Sequence, residues 1–276
     1  MEQEDSNSSN QKILQKRKSH KKAPIEVLEN AILLKVFSFL DAKSVVMTEM
    51  VCQKWKDVIQ ESIDEFPKML MDQIKLHFDE GEVLVYPIDE KKVPSRHIMP
   101  PVEKLSGHMK HITINSLFIR GLIPIETTPV LRSLSNLKLE LNQIYFLWCD
   151  FDGYAETMLL DLFTINYETL SDIGFEVCTP PTLISDQLIM LNLPKLVSIR
   201  IWNNGAFGIY LITDQTLLQL AEYFTNNKKA VLETLDLANT QVTVSGVSAL
   251  IEAWFRSPNG HLKKTNTIDS EGAPFG

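Results

Sequence analysis

Apolar positions in the stretch 28–59 recur at helical spacing. Leu28, Ile32, Val36 and Leu40 fall four apart, with Leu33 and Phe37 beside them, which predicts one helix with a broad apolar face. Asp41 and Ser44 interrupt the pattern with side chains that suit a helix N-terminus. Val51, Cys52, Trp55 and Ile59 then form a second stripe, on which Cys52 reads as a small packed hydrophobe. A piece of roughly 40 residues sits near the lower limit for an independent core. Its surplus apolar face therefore needs cover from the rest of the chain or from a partner.

Beyond Phe66-Pro67 the period changes. Ile74, Leu76 and Phe78 alternate with Lys75 and His77, the period of a strand. Asp79-Glu80-Gly81-Glu82 has turn chemistry and Val83–Tyr86 is a short apolar run, so a hairpin is expected at about 74–86. Pro87, Pro94, Pro100 and Pro101 mark an irregular connector after it.

From about residue 102 the pattern L-x-x-L-x-L recurs with conservative swaps. It falls at Met109/Ile112/Ile114, Leu134/Leu137/Leu139, Leu170/Ile173/Phe175, Leu196/Ile199/Ile201 and Leu232/Leu235/Leu237, with starts 25, 36, 26 and 36 residues apart. Such a series points to a repeating unit. The intervening segments read as helices: Ala155–Ile165 with Met158, Leu159, Leu162 and Phe163, a segment capped by Thr213 and Asp214, and one from Ser245 through Trp254. A strand followed by a returning helix, repeated, predicts an α/β solenoid of leucine-rich type, whose units bury their apolar faces by stacking. The expected class is thus α+β to α/β, a small all-helical module followed by an irregular leucine-rich-repeat-like domain.

The helical stretch resembles an F-box, the module that docks a protein onto the Skp adaptor of a cullin–RING ubiquitin ligase. The F-box pattern runs L-P-x-E-I-L-L-x-I-F-S-x-L-D, then a gap, then V-C-x-x-W-x-x-I. Leu28, Ile32, Leu33, Val36, Phe37, Ser38, Leu40 and Asp41 match its first half, and Val51, Cys52, Trp55 and Ile59 its second. Glu29 and Ala31 stand where the family has proline and glutamate, and Pro24 and Glu26 lie just upstream. The resemblance implies that Leu28, Ile32, Leu33, Val36, Phe37, Leu40, Val51, Cys52, Trp55 and Ile59 form or support an adaptor-docking face. The later part, from Val242-Thr243-Val244-Ser245 through Leu250–Phe255 to Asn259-Gly260-His261-Leu262, is similar to the F-box-associated region of nematode F-box proteins. In that family another L-x-x-L-x-L strand follows, and here Thr265 and Thr267 occupy two of its apolar positions, so the last repeat is eroded.

Composition narrows the partners. The 276 residues have 44% hydrophobic content, 22% charge and a net charge of −8, ordinary for a globular protein and unlike a general nucleic-acid binder. Three unpaired-looking cysteines, Cys52, Cys149 and Cys178, and the lack of an apolar leader or membrane-length run favour a reducing compartment, cytoplasmic or nuclear. The run Lys16-Arg17-Lys18-Ser19-His20-Lys21-Lys22 reads either as a solvated tail or as an import signal.

No catalytic constellation is expected. His108 and His111 have no Cys or carboxylate set at metal-ligand spacing, and Asp150, Asp152 and Gly153 lack the other ligands of a calcium loop. Cys149 and Cys178 have no nearby base in sequence to activate a thiol. No cofactor and no metal are expected, nor a nucleic-acid or membrane partner.

A binding surface remains. Residues between the inward apolar positions of each strand face solvent: Thr113, Asn115, Lys138, Glu140, Glu176, Arg200, Trp202 and Asp236. Of these Lys138, Glu140, Glu176, Arg200, Trp202 and Asp236 are the candidates for holding a target. Trp202 stands out as a hot-spot residue type, with burial under the 203–210 loop as its other reading. The expected organisation is a disordered basic tail (1–22), an F-box (23–65), a connector with a possible hairpin (66–101), a repeat domain (102–264) and a frayed end (265–276). The function implied is a non-catalytic substrate receptor of a Skp–cullin–F-box ligase. The alternatives are an F-box scaffold outside the ligase and a leucine-rich-repeat nuclear interaction protein.

Overall fold

The computed structural model describes residues 28–79, 82–87, 97–99, 109–137, 139–189, 195–202, 208–227, 232–256 and 264–266. The chain divides into two compact units between Pro67 and Lys68.

The first unit has helices α1 (Asn30–Phe37), α2 (Ala42–Glu49) and α3 (Gln53–Glu61), closed by a 3₁₀ turn at Ile63–Glu65. Asp41 is the N-cap of α2, its Oδ1 accepting from the Ser44 amide at 2.7 Å. That backbone hydrogen bond holds the Asp41 carboxyl below its ordinary range. Cys52 begins α3 as its N-cap residue and is half-buried, rather than a fully packed core position. Leu33, Phe37, Val45, Val58, Ile59 and Phe66 form the unit's core, with Leu28, Leu34, Leu40, Trp55 and Ile63 packed against it. The Phe37 and Trp55 rings meet edge to face at 5.2 Å.

The second unit is built on a sheet whose order, among the described residues, is β3-β2-β1-β4-β5-β6-β7-β8-β9. Its strands are β1 (Met69–Asp79), β2 (Glu82–Pro87), β3 (His97–Met99), β4 (Ile112–Arg120), β5 (Gln143–Leu147), β6 (Asp172–Glu176), β7 (Ser198–Trp202), β8 (Thr234–Leu237) and β9 (Lys264–Asn266). Strands β1 and β2 pair antiparallel, with Phe78 opposite Val83, whereas β1 and β4 through β9 run parallel in that spatial order. The segment expected as a connector therefore supplies the first strands of this sheet. Helices α4 (Pro124–Ser135), α5 (Ala155–Ile165), α6 (Asp186–Ile189), α7 (Asp214–Asn226) and α8 (Val244–Arg256) lie in the connections.

The strand register corrects the phase of the early repeats. Ile74, Leu117, Ile144, Ile173, Ile199 and Leu235 stand in one column, and Leu76, Ile119, Phe146, Phe175, Ile201 and Leu237 in a second. All of them are buried. Three residues ahead of the first column, Ile114, Leu141, Leu170, Leu196 and Leu232 are buried as well. The apolar triplet thus starts at 114 and 141, not at 109 and 134, and successive starts are 27, 29, 26 and 36 residues apart. Leu134 lies in the last turn of α4, a helix that the spacing of Leu134, Leu137 and Leu139 had hidden.

Four strands of this series, β4, β5, β6 and β8, end alike. Two residues past the second column the backbone turns left-handed, at Gly121 (φ 74°), Trp148 (57°), Val177 (52°) and Asn239 (56°). A Cβ at Gly121 would fall 2.6 Å from the Phe78 carbonyl oxygen, so this position takes glycine for two reasons. One residue further on, Leu122, Cys149 and Cys178 are buried at equivalent places. Burial pushes the Cys178 thiol well up, so it is an inert packing group. The helix starts are linked by carboxylates. Asp186 accepts from the Thr213 amide at 2.8 Å, and Asp214 from the Thr243 amide at 2.7 Å and hydroxyl at 2.6 Å.

Candidate binding surfaces

On the helical unit, the apolar residues expected to serve docking separate into two sets. Leu33, Phe37 and Ile59 are spent on the unit's own core, while Leu28, Leu40, Cys52 and Trp55 are half-buried. Ile32, Val36 and Val51 are exposed, Val51 at 61%. Exposed with them are Phe39 (78%), Met47 and Met50 (77%), none of which the spacing of the stripes singled out. The Lys35 ammonium lies 5.3 Å from the Phe39 ring centroid, which leaves the ring otherwise in solvent. A unit this small exposing six large apolar side chains has an apolar surface available to a partner.

On the sheet unit, one cavity of about 540 Å³ lies over the strand residues that alternate with the buried columns. It is lined by Glu176, Arg200, Trp202 and Asp236 from the expected set, together with Phe118, Tyr145, Leu147 and Asp172. Glu140 is not among them: it precedes β5, exposed, with left-handed φ of 54°. The shifted repeat phase explains this, because the outward positions of β5 are Gln143, Tyr145 and Leu147. Lys138 lies outside the described residues. Asn115 joins a ladder of side chains instead, its amide nitrogen donating to the Asp72 carboxylate at 3.1 Å and its side-chain oxygen accepting from the Asn142 amide.

The floor of the cavity is an aromatic row. Lys75, Phe118, Tyr145, Gly174, Arg200 and Asp236 are register partners across β1 and β4–β8. Phe118 and Tyr145 stack with centroids 5.0 Å apart and planes 7° apart, and the Arg200 guanidinium lies 5.8 Å from the Tyr145 centroid. Burial raises the Tyr145 phenol above its ordinary value, with the Asp172 charge adding and the Arg200 charge opposing. The next row toward the strand ends is Arg120, Leu147, Glu176 and Trp202. The aromatics Phe118 and Tyr145 were the main members missed from sequence, and the correct phase of the triplets would have found them.

Among the described residues no group of three His, Cys, Asp or Glu side chains could hold a metal ion. His111 is buried, and His108 lies outside the described residues. Among the described residues no helix is long and apolar enough to cross a membrane. Trp254 packs in the core, its ring stacked on Phe224 at 5.8 Å.

Residues 25–64 match the F-box domain family, which covers the helical unit described above. No curated protein matches the chain. The chain therefore carries an F-box domain followed by an α/β unit with a mostly parallel sheet. An F-box domain implies adaptor binding of the Skp–cullin–F-box type, in which F-box proteins are generally non-catalytic.

Proposed function

We propose that this protein is the substrate-recognition subunit of a Skp–cullin–F-box E3 ubiquitin ligase, acting in the cytoplasm or nucleus. Its F-box takes the adaptor, and its second unit, an irregular leucine-rich-repeat-like solenoid akin to the nematode F-box-associated region, takes the target. The observation that carries the reading is the exposed apolar set Ile32, Val36, Phe39, Met47, Met50 and Val51 on a unit that matches the F-box domain. The recurring strand, left-handed turn and helix of the second unit support the solenoid assignment, and the cavity over its sheet supports a target-binding role. Such a receptor acts by proximity: holding the target raises the effective concentration of its lysines near the ubiquitin-charged enzyme. The chain itself then needs no bond-making group.

The test is co-expression with the Skp adaptor. The wild-type chain should co-purify with it and bring cullin, and a bound protein should gain ubiquitin. Ile32→Asp with Val36→Asp should abolish recovery of the adaptor while the protein stays soluble and folded, since both side chains are exposed. Undiminished adaptor recovery by the double variant would overturn the docking face. Adaptor without cullin would instead place the protein in an adaptor complex outside the ligase.

A further inference from the structure

We infer that the sheet cavity selects a basic side chain, so that the recognised segment of the target carries a lysine or arginine seated on Glu176. This deepens the reading of the second unit as the target-binding part and rests on it. Glu176 stands between Leu147 and Trp202 on adjacent parallel strands. Neighbouring strands lie about 4.8 Å apart, so the two flanking backbones are roughly 10 Å apart with the Glu176 side chain between them, and a target side chain lies across the top of this row. Leu147 and Trp202 offer apolar surface to the methylene stem of a long cationic residue. The Trp202 ring and the Glu176 carboxylate offer its head a π face and a counter-ion. All three residues are only half-buried, so the row is open to solvent.

Charge decides the sign of the occupant. The cavity is lined by the carboxylates of Asp172, Glu176 and Asp236 and by one guanidinium, Arg200. Arg200 is already turned to the Tyr145 ring, 5.8 Å from its centroid. Asp172 and Glu176 alone outnumber Arg200, so an anionic segment would meet two carboxylates for the one cation it gained, whereas a cationic one meets a surplus of negative charge. A purely apolar segment would have to desolvate those carboxylates without return. On β6, Asp172 and Glu176 are four residues apart with Gly174 between them. That puts their backbones about 13 Å apart. A second basic residue of an extended segment thus finds Asp172 when it lies four positions from the first.

The experiment uses the full chain in complex with its adaptor and a displayed library of random dodecapeptides. Enriched peptides should share a lysine or arginine at one fixed position, with acidic residues depleted around it. Synthetic peptides of that consensus should bind at least tenfold more weakly to Glu176→Gln, and the preference should turn to Asp or Glu with Glu176→Lys. Binding should also weaken as salt rises. Enrichment that is lost in Trp202→Ala but untouched by Glu176→Gln would overturn the basic-residue inference and leave the sheet as the target site. Enrichment unchanged by either variant, an empty selection, or self-association of the chain through this face would overturn both.

Discussion

The Tyr145 ring lies over Gly174 of the neighbouring strand, where a side chain would otherwise stand. A Cβ built on Gly174 would fall 2.6 Å from Tyr145 Cε1 and closer still to Cδ1. The glycine is therefore the condition for the aromatic row: it lets Tyr145 lean across β6 and meet the Arg200 guanidinium. Overpacking a filled site costs about 1–3 kcal/mol. Gly174→Ala should lower the unfolding free energy by about that amount in a denaturant titration. Adding Tyr145→Ala to Gly174→Ala should return part of the loss, because the clash then has no second party. Additive losses in that double-mutant cycle would show that the two residues do not compete for the same space.

Phe37 and Phe39 are two positions apart on the helical unit and should behave oppositely. Phe37 is 2% exposed and packed on Trp55, so Phe37→Ala should cost about 3–5 kcal/mol and unfold the unit. Phe39 is solvent-exposed, so Phe39→Ala should leave stability within about 0.5 kcal/mol yet reduce recovery of the adaptor. Thermal melts of the two variants, read beside a pull-down, separate a core role from a docking role.

Legibility in the sequence followed how strongly each pattern excluded its rivals. Asp41 with Ser44 and Thr213 with Asp214 marked true helix starts, because few other residues satisfy exposed amide groups there. The stripes located the helical unit but could not divide it into core and docking face. Leu33 and Ile32 are chemically alike, and only packing shows that one is buried and the other exposed. The repeat was legible where strands and helices kept their distance, at Leu170, Leu196 and Leu232. It slipped at Leu134, because leucines three apart at the end of a helix mimic the first step of the strand triplet. That slip put Glu140 on the sheet and hid Tyr145. The left-handed column could not be read at all, since Gly121, Trp148, Val177 and Asn239 share a backbone angle and no side-chain chemistry.

Glu140 itself now has a different expected phenotype. Its φ of 54° is a conformation that costs a side-chain-bearing residue about 1–2 kcal/mol, and its side chain is exposed. Glycine adopts that angle freely but loses about 0.5–1 kcal/mol more chain entropy on folding. Glu140→Gly should therefore be neutral to stabilising, by at most about 1 kcal/mol, and should not alter target or peptide binding. A marked loss of binding would return Glu140 to the recognition surface.

Acid should loosen the second unit partly through Asp214. The hydroxyl and amide of Thr243 both donate to its carboxylate, and they hold its pKa below the ordinary 3.8. A carboxyl depressed on folding contributes stability that is fully present above its unfolded value and is lost as the pH falls through the depressed folded value. The contribution of Asp214 should therefore be constant from neutral pH down to about 5, begin to fall near about 4 and vanish only below the depressed folded value. Asp214→Asn keeps the shape and removes the charge, so it should flatten the acid limb of a stability–pH profile while costing some stability at pH 7. Because Asp214 is nearly fully solvated, the change should be modest and should shrink further in high salt. Thr243→Val removes the hydroxyl donor and should move the same limb in the same direction, since the two residues act through one contact. Equal acid limbs for the wild type and both variants would show that Asp214 carries none of the pH dependence.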